Sequence, residues 1–401
     1  MDSPQDFRSL PDLAVRTLGG SVVWANDESF AERHNLLLPG PPRFDPEKFG
    51  HRGKVYDGWE TRRRRGTGHD AAIIRLGVPG VVRGVVIDTT WFRGNAPAEV
   101  SVEAACVPGY PPADELAGEK AWAAIVPRSE IKADSRNSFP VDSPYRWTHL
   151  RLSIYPDGGV ARLRVHGEAI IDPWLLDVGG LDLAALENGG RVVACSNMFY
   201  GSPDNLISPG RATVMSEGWE TARRRGGGND WVTVALATAG IPGLAELDTS
   251  YFLHNAPGWA QLRGCPAGAS VVPGEADWPV LLPRTRLQPD TRHCFPLGDA
   301  PAVTHVRLDI YPDGGMARLQ LPGTPAAAGR RAAGRRWLNS LPDDAAIEAL
   351  TTRAGLPVAT AERVTGSRPL TEASDVPPGL RPLIDGSPSG RTAFPMTAAE
   401  D

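Results

Sequence analysis

The chain repeats itself over the length of a whole domain. Matching segments are separated by 156 to 160 residues, which exceeds the roughly 20–50 residues of a solenoid repeat and is close to the usual size of one domain. The matching pairs are Asp57–Asp70 with Glu217–Asp230, Asn95–Pro97 with Asn255–Pro257, and His149–Leu163 with His305–Leu319. This spacing predicts two tandem domains of the same fold, and the polar residues kept in both copies are the first candidates for function.

Apolar and polar residues alternate along the best-matched segment, as in a strand that has one buried face. The alternation places Leu150, Leu152 and Ile154 on one face and His149, Arg151 and Tyr155 on the other. Pro156–Gly159 is typical of a turn, and we predict that Val160–Val165 returns as the partner strand. With 44 Gly and 38 Pro residues to connect short strands, the chain is predicted to be all-β, each repeat forming an antiparallel jelly-roll β-sandwich.

The repeats divide the chain into three predicted parts. These are one domain over 20–167, a second domain over 190–323, and a remainder over 324–401. In the remainder, the small and basic residues from Pro325 to Arg336 indicate a hinge. Pro342, followed by apolar positions such as Leu350, predicts one short helix. The Pro- and Ser-rich end of the chain predicts a poorly ordered tail.

Charge and composition exclude several classes of protein. With 47 acidic and 42 basic residues and a net charge of −5, the chain lacks the basic footprint of a nucleic-acid-binding protein. No stretch approaches the roughly 18 apolar residues that a membrane span needs. The four cysteines are scattered without a CxxC pair, which argues against a thiolate zinc site and indicates free thiols. We therefore predict a cytoplasmic protein that binds neither nucleic acid nor membrane.

A run of arginines follows the repeated Gly-Trp-Glu-Thr motif. One interpretation is a solvated charge run beside a buried tryptophan, and the other is an arm that binds a carboxylate through arginine forks. The presence of the run in both copies favours the second interpretation, although Ala222 replaces Arg62 and makes that position the weakest candidate. The candidate binding residues are Arg63, Arg64, Arg65, Arg223, Arg224 and Arg225, with Glu60 and Glu220 as neighbouring acids.

Four further polar positions lie close to these motifs. Asn95 and Asn255 each precede Ala-Pro, where an amide can either form an Asx turn or donate and accept hydrogen bonds to a urea-like group. When the two repeats are aligned, His69 corresponds to Asn229, and His254 corresponds to Gly94. A functional centre need survive in only one copy, so both histidines are candidates.

The paired Gly-Trp-Glu-Thr-Arg motifs, Asn-Ala-Pro segments and His-x-Arg-Leu-x-Ile-Tyr-Pro-Asp-Gly-Gly blocks resemble the allantoicase family, over about residues 15 to 323. The resemblance implies two galactose-binding-like jelly rolls and the hydrolysis of allantoate to ureidoglycolate and urea in allantoin degradation. One departure stands out. The family pattern has Trp after the Asp that follows the arginine run, as in Asp230-Trp231, whereas Ala71 follows Asp70.

Allantoate carries one carboxylate and two ureido groups on one carbon. Arginines suit the carboxylate, asparagines suit the ureido arms, and carboxyl groups or histidines can exchange the protons. The candidates for proton transfer are Glu60, Glu220, Asp70, Asp230, His69 and His254. No cofactor is expected, while assistance by a divalent metal and a homo-oligomeric state are left open. The alternatives are a non-catalytic tandem module that binds carbohydrate, and an enzyme whose true substrate is ureidoglycolate.

Overall fold

The computed structural model describes residues 6–386, apart from residues 52, 119–121, 272–276, 373–375 and 377. The chain forms two compact units. The first unit comprises the chain up to Ile170 together with Ser340–Ala346, and the second comprises Ile171–Asn339 together with the chain from Ile347 onward. No helix in these described ranges is both long and apolar enough to cross a bilayer.

The first unit is built on one long central strand, β5, which takes part in two sheets. Its first half pairs with β1 and β9, and β9 continues to β6 and β7. Its second half pairs with β8 and β11. The elements are β1 (Ser21–Ala25), β2 (Phe49–Gly50), β3 (Gly53–Lys54), β4 (Trp59–Glu60), β5 (Asp70–Asp88), β6 (Glu99–Ala105), α1 (Ala113–Gly118), β7 (Ala123–Glu130), β8 (Arg136–Pro140), β9 (Arg146–Tyr155), β10 (Gly159–Val160) and β11 (Arg162–Ala169).

The second unit repeats this arrangement, with the long strand divided in two at Gly243. In one sheet β15 pairs with β13, β20 and β23, and β20 continues to β17 and β18. In the other sheet β16 pairs with β19 and β22. The elements are β12 (Leu181–Asp182), β13 (Arg191–Cys195), β14 (Trp219–Glu220), β15 (Asp230–Pro242), β16 (Leu244–Asp248), β17 (Trp259–Pro266), β18 (Val280–Arg286), β19 (Arg292–Pro296), β20 (Val303–Tyr311), β21 (Gly315–Met316), β22 (Arg318–Gln320) and β23 (Pro322–Pro325).

Side chains from both sheets of the first unit meet in one apolar cluster, as a sandwich requires. Leu150, Leu152 and Ile154 are fully buried in it, together with side chains of β11 such as Leu163. Trp59 is also fully buried there, and its indole Nε1 donates to the Asp27 carbonyl at 2.8 Å. The all-β class and the two tandem β-sandwiches predicted from the sequence are thus confirmed.

The predicted hairpin at Pro156–Gly159 is wrong. β9 pairs with the first half of β5, whereas β11 pairs with its second half, so the turn carries the chain from one sheet to the other. The end of the turn pairs with β4 through β10, and not with β9. In addition, Gly159 N donates to the Asn95 carbonyl at 2.8 Å, and Gly158 N donates to Thr61 Oγ1 at 3.1 Å. A Cβ on Gly158 would approach Asn95 O to 2.7 Å, so this crossing requires glycine.

The remainder of the chain also differs from the prediction of a hinge followed by one helix. The predicted hinge is helical, because its alanines favour helix and its two glycines permit close packing. A Cβ on Gly329 would meet Ala239 O at 2.2 Å, and one on Gly334 would meet Ile384 O at 2.7 Å. The predicted poorly ordered tail falls largely on residues 387–401, which lie outside the described residues. The helices of the described part are α2 (Ala327–Ser340), α3 (Asp343–Thr352), α4 (Val358–Gly366) and α5 (Arg381–Asp385).

A buried arginine fixes α2 within the second unit. The Arg330 guanidinium is 5% exposed and forms a two-point pair with Asp177, at 2.7 and 2.9 Å. It also donates to the carbonyl of Ile384 at 3.0 Å. The end of α5 and the segment that precedes β12 are therefore held by one side chain.

We expect Arg330→Met to lower the free energy of unfolding by about 2–3 kcal/mol, because the largely buried Asp177 carboxylate and the Ile384 carbonyl would lose their donor. Chemical denaturation followed by circular dichroism measures this change. Arg331→Met, on the solvent-accessible side of the same helix, is the matched control and should change stability by less than about 0.5 kcal/mol. Equal effects of the two substitutions would contradict the assignment.

Candidate active site

The arginine run of the first unit forms an ion pair with a buried carboxylate. Arg64 Nη2 bonds Asp70 Oδ1, and the Arg64 backbone N–H donates to Asp157 Oδ2 at 2.7 Å. Asp70 is only 2% exposed and also accepts from Asn26 Nδ2 at 3.0 Å. Two motifs that the sequence presented as separate candidates are thus a single structural unit, and the Arg64 guanidinium already has an anionic partner.

The second unit repeats this ion pair. Arg224 Nη2 bonds the buried Asp230, which also accepts from Ser196 Oγ at 2.9 Å. The Arg224 backbone N–H donates to Asp313 Oδ2 at 2.8 Å. Because the same bonds occur in both copies, this arrangement reflects the fold that the two units share.

The remaining arginines of the two runs point into solvent. Arg63, Arg65, Arg223 and Arg225 are exposed and form no hydrogen bond or ion pair with any described residue. In the first unit they border a cleft of about 420 Å³, whose wall also contains Asn26 and Asp70. These arginines can attract an anion, but nothing in the described residues fixes their geometry.

Glu60 and Glu220 each bind the asparagine of their own repeat. Asn95 Nδ2 donates to Glu60 Oε1 at 2.6 Å, and Asn255 Nδ2 donates to Glu220 Oε1 at 2.6 Å. Burial raises the pKa of Glu60, and this exceeds the lowering effect of the bond from Asn95. The Glu60 carboxylate thus binds Asn95, whereas Arg64 of the arginine run binds Asp70.

Both candidate histidines are exposed to solvent, but their neighbours differ. His254 is exposed, without a hydrogen bond or ring contact to the described part of the chain. The His69 ring packs against the Tyr155 ring, with centroids 4.7 Å apart. Burial lowers the pKa of His69, and the positive charges of Arg64 and Arg151 lower it further. In its neutral form, the imidazole of His69 can accept one proton and donate another.

His69 borders a second cleft of the first unit, about 550 Å³ in volume, which we call the unit-1 cleft. Its floor is the outward face of β9, β5 and β6, where Ala71 occupies the place that Trp231 has in the second unit. The polar side chains that line it are Asn26, His69, Ser101, Glu103, Arg128, Arg151, Ser153 and Tyr155.

These polar groups are linked in pairs. Arg151 donates through Nε to Glu103 Oε2 at 2.7 Å, and its guanidinium lies 4.8 Å from the Trp122 ring. Tyr155 and Ser101 share a hydrogen bond of 3.0 Å between their hydroxyls. Arg128 lies 4.1 Å over the Tyr155 ring, at the rim. The cleft thus combines a fixed guanidinium, a carboxylate, an imidazole and three hydroxyls on one concave face.

His149, which the alternation groups with Arg151 and Tyr155, does not join them. It is 2% exposed, and its Nδ1 lies 2.8 Å from Thr148 Oγ1. Burial and the charge of Arg75 lower its pKa to about 4. We assign His149 no part in the site.

The corresponding face of the second unit is occupied by its own side chains. Trp231 replaces Ala71 and packs 4.6 Å from the Arg307 guanidinium. Asp309 replaces Ser153 and accepts from Arg307 Nε at 3.0 Å. Asn229, which replaces His69, donates to the same Asp309 Oδ1 at 2.8 Å. A ligand could reach Arg307 only by displacing Asp309.

The sequence analysis did not single out Glu103, Ser101, Ser153 or Arg128. Arg128 recurs in the second copy as Arg284, which also lies 4.1 Å from a tyrosine ring. The other three positions are not shared between the copies, as Arg263 replaces Glu103, Gln261 replaces Ser101 and Asp309 replaces Ser153. A different sequence pattern could have identified them, namely differences between the two copies at alternate positions along one face of a strand. Within the described ranges, no three His, Cys, Asp or Glu side chains come together in an arrangement that could hold a metal ion.

Comparison with protein families gives a match to both units. A family model described as "Allantoicase repeat" matches residues 11–170 and 181–326. A protein of Nocardia farcinica named "Probable allantoicase" is 57% identical over 323 residues, which cover 80% of this chain and 96% of the relative. A protein of the same name from Streptomyces avermitilis is 52% identical over 331 residues, covering 79% and 86%.

Two solved structures agree with this match. The crystal structure of allantoicase from Saccharomyces cerevisiae has a TM-score of 0.67 at 34% identity and covers 79% of this chain and 96% of its own. A second structure, described as an allantoicase, has a TM-score of 0.65 at 34% identity, with coverages of 78% and 92%. The family match ends at residue 326, so helices α2 to α5 follow the matched region.

Proposed function

The chain belongs to the allantoicase family, and from that premise we propose that it hydrolyses allantoate to ureidoglycolate and urea in the unit-1 cleft. In this reaction the bond between the central carbon and one ureido nitrogen breaks, and its electron pair stays on nitrogen. A water oxygen bonds to the carbon in its place. One proton leaves the water and one reaches the departing nitrogen, so the site needs an anion grip and a group that exchanges protons.

Arg151 is the proposed grip for the substrate carboxylate. Glu103 and the Trp122 ring hold its guanidinium in place, and a guanidinium has five N–H donors, so donors remain for an anion. Arg128 at the rim is paired with Glu99 and covers the Tyr155 ring, so it forms one wall of the approach to the cleft. Glu103 acts here as a positioning residue.

His69 is the proposed proton acceptor for the attacking water. Its neutral form provides the base, and Tyr155 fixes the ring from one side. After accepting the water proton, the same imidazole can return a proton to the leaving ureido nitrogen, which balances the reaction. The hydroxyls of Ser101 and Tyr155, which also line the cleft, are the proposed partners of the ureido arms.

Glu60, Asn95, Arg64 and Asp70, whose counterparts recur in the second unit, are proposed to support the fold around the site. The Glu60–Asn95 and Arg64–Asp70 contacts recur in the second unit as Glu220–Asn255 and Arg224–Asp230. The single observation that carries the proposal is that the unit-1 cleft is open beside Arg151, whereas the same face of the second unit is closed by Asp309 and Trp231.

Urea release by the purified protein tests the proposal. We expect urea and ureidoglycolate from allantoate, in equal amounts. Urea from ureidoglycolate but not from allantoate would reassign the substrate. No urea from either compound, together with binding of sugars, would identify a non-catalytic carbohydrate-binding module.

The pH dependence of the reaction should report the depressed pKa of His69. As pH falls through that pKa, His69 gains a proton and loses its function as a base, so kcat/KM decreases. Because the pKa is lowered from 6.5, we expect the acid limb of kcat/KM to lie below pH 6.5. His69→Asn should remove this limb, and an unchanged limb in that variant would contradict the role of His69.

A further inference from the structure

In the second unit, the arginine that corresponds to Arg151 is bound by a carboxylate of the protein itself. Asp309 is 3% exposed and Arg307 is 6% exposed. Asp309 Oδ1 accepts three hydrogen bonds, from Arg307 Nε at 3.0 Å, Arg307 Nη2 at 2.8 Å and Asn229 Nδ2 at 2.8 Å. The unit is therefore closed around a carboxylate of its own.

The first unit has the same donors, but the internal carboxylate on its arginine comes from Glu103 on the neighbouring strand. Nε and Nη2 of Arg151 both lie 2.7 Å from Glu103 Oε2, which leaves the other guanidinium N–H groups for a ligand. Arg151 occupies the register position of Arg307, and His69 occupies that of Asn229. Ser153 occupies the position of Asp309, and its side chain lacks the carboxyl group. Ser153 lines the unit-1 cleft next to Arg151, so the volume that the Asp309 carboxylate fills in one unit belongs to the cleft in the other.

We infer that Asp309 marks the binding position of the substrate carboxylate, which in the first unit lies over Ser153 and accepts hydrogen bonds from Arg151 and His69. This inference rests on the proposed function and adds to it a location for one group of the substrate. A neutral imidazole donates through one nitrogen and accepts through the other. His69 can therefore hold the carboxylate with one nitrogen while the other faces the attacking water.

The same comparison assigns Ser153 a role in specificity. A short side chain at this position leaves room for the anion of a ligand, whereas an aspartate supplies the anion itself. Ligands without a carboxylate would lose the charge-assisted hydrogen bonds from Arg151, which are stronger than hydrogen bonds between neutral groups. We therefore expect the cleft to reject the amide of allantoate, which has the same shape without the charge.

Ser153→Asp tests the inference, because it should close the unit-1 cleft in the way that Asp309 closes the second unit. We expect the affinity for allantoate, measured by isothermal titration calorimetry, to decrease at least 100-fold. Ser153→Asn, of the same size but without charge, should lose less than about 10-fold. Equal losses in the two variants, or wild-type affinity in Ser153→Asp, would overturn the inference.

The Ser153→Asp substitution is also tested in a second variant, in case the new carboxylate prevents folding. Glu103 would share Arg151 with the new aspartate, so the substitution is also made in Glu103→Gln, with the single Glu103→Gln variant as the reference for affinity. Melting temperatures identify any unfolded variant.

Failure of the proposed function and failure of this inference give different results. If wild-type protein binds allantoate without releasing urea, only the proposed hydrolysis is contradicted. The comparison of Asp with Asn at position 153 would then still decide where the carboxylate binds. Failure of the wild type to bind allantoate would overturn both.

Discussion

His69→Asn is expected to lower kcat for urea release from allantoate by about 10³-fold, within the range that general acid–base groups contribute. The substitution gives the first unit the residue that the second unit has at this position. Asn229 donates to the Asp309 carboxylate at 2.8 Å, so an asparagine at position 69 can still bind the substrate carboxylate but cannot accept a proton from water. KM should therefore change by less than about 5-fold.

The reciprocal substitution is the matched control. Asn229→His changes the equivalent position of the second unit, which we place outside the reaction, and it should leave kcat and KM of the folded protein unchanged. Steady-state kinetics with a urea assay measures both variants. A loss of kcat in Asn229→His comparable to that in His69→Asn would place chemistry in the second unit and contradict the assignment.

Asp230→Asn is expected to reduce the free energy of unfolding by about 3 kcal/mol. This value is near the lower end of the cost of breaking a buried ion pair, because the Arg224 side chain is partly exposed to solvent. Asp230 is 1% exposed and receives bonds from Arg224 and Ser196. An asparagine amide would keep one acceptor oxygen but leave the guanidinium without a countercharge. Chemical denaturation measures the change.

Kinetics of the same variant separates a structural role from a catalytic one. If Asp230 supports the fold, the folded protein should retain the wild-type kcat while its stability decreases. Asp248→Asn, at another buried aspartate of the second unit, provides a comparison for a general loss of stability. A large decrease in kcat at unchanged stability would show that Asp230 acts in the reaction.

The sequence predicted the fold well because the duplication appears in residues that the core and the turns require. Trp59 and Trp219 are both fully buried, and Leu150, Leu152 and Ile154 lie in the core as their alternation indicates. The hairpin failed because tight-turn residues do not reveal whether the next strand pairs with the previous one or crosses to another sheet. The helix α2 was missed because its glycines serve close packing, which depends on distant residues.

The candidate site could be predicted only in part. Repetition drew attention to Arg64, Asp70 and Glu60, but shared residues are those that both copies need to fold, and these are largely paired with each other or with a neighbouring asparagine. Although Arg151 and Tyr155 recur as Arg307 and Tyr311, the open shape of the cleft depends on residues that differ between the copies. Of these, His69 and Ala71 were noticed from the sequence, whereas Glu103 and Ser153 became visible only when strand pairing placed them on one face.

The central claim is that each chain has one working site and that Arg151 in the first unit anchors the substrate there. Titration calorimetry of allantoate into His69→Asn, which should bind without turnover, tests it most directly. The account predicts one molecule of allantoate bound per chain, and loss of that binding when Arg151→Leu is added. Two molecules bound per chain, or one whose affinity survives Arg151→Leu, would contradict it.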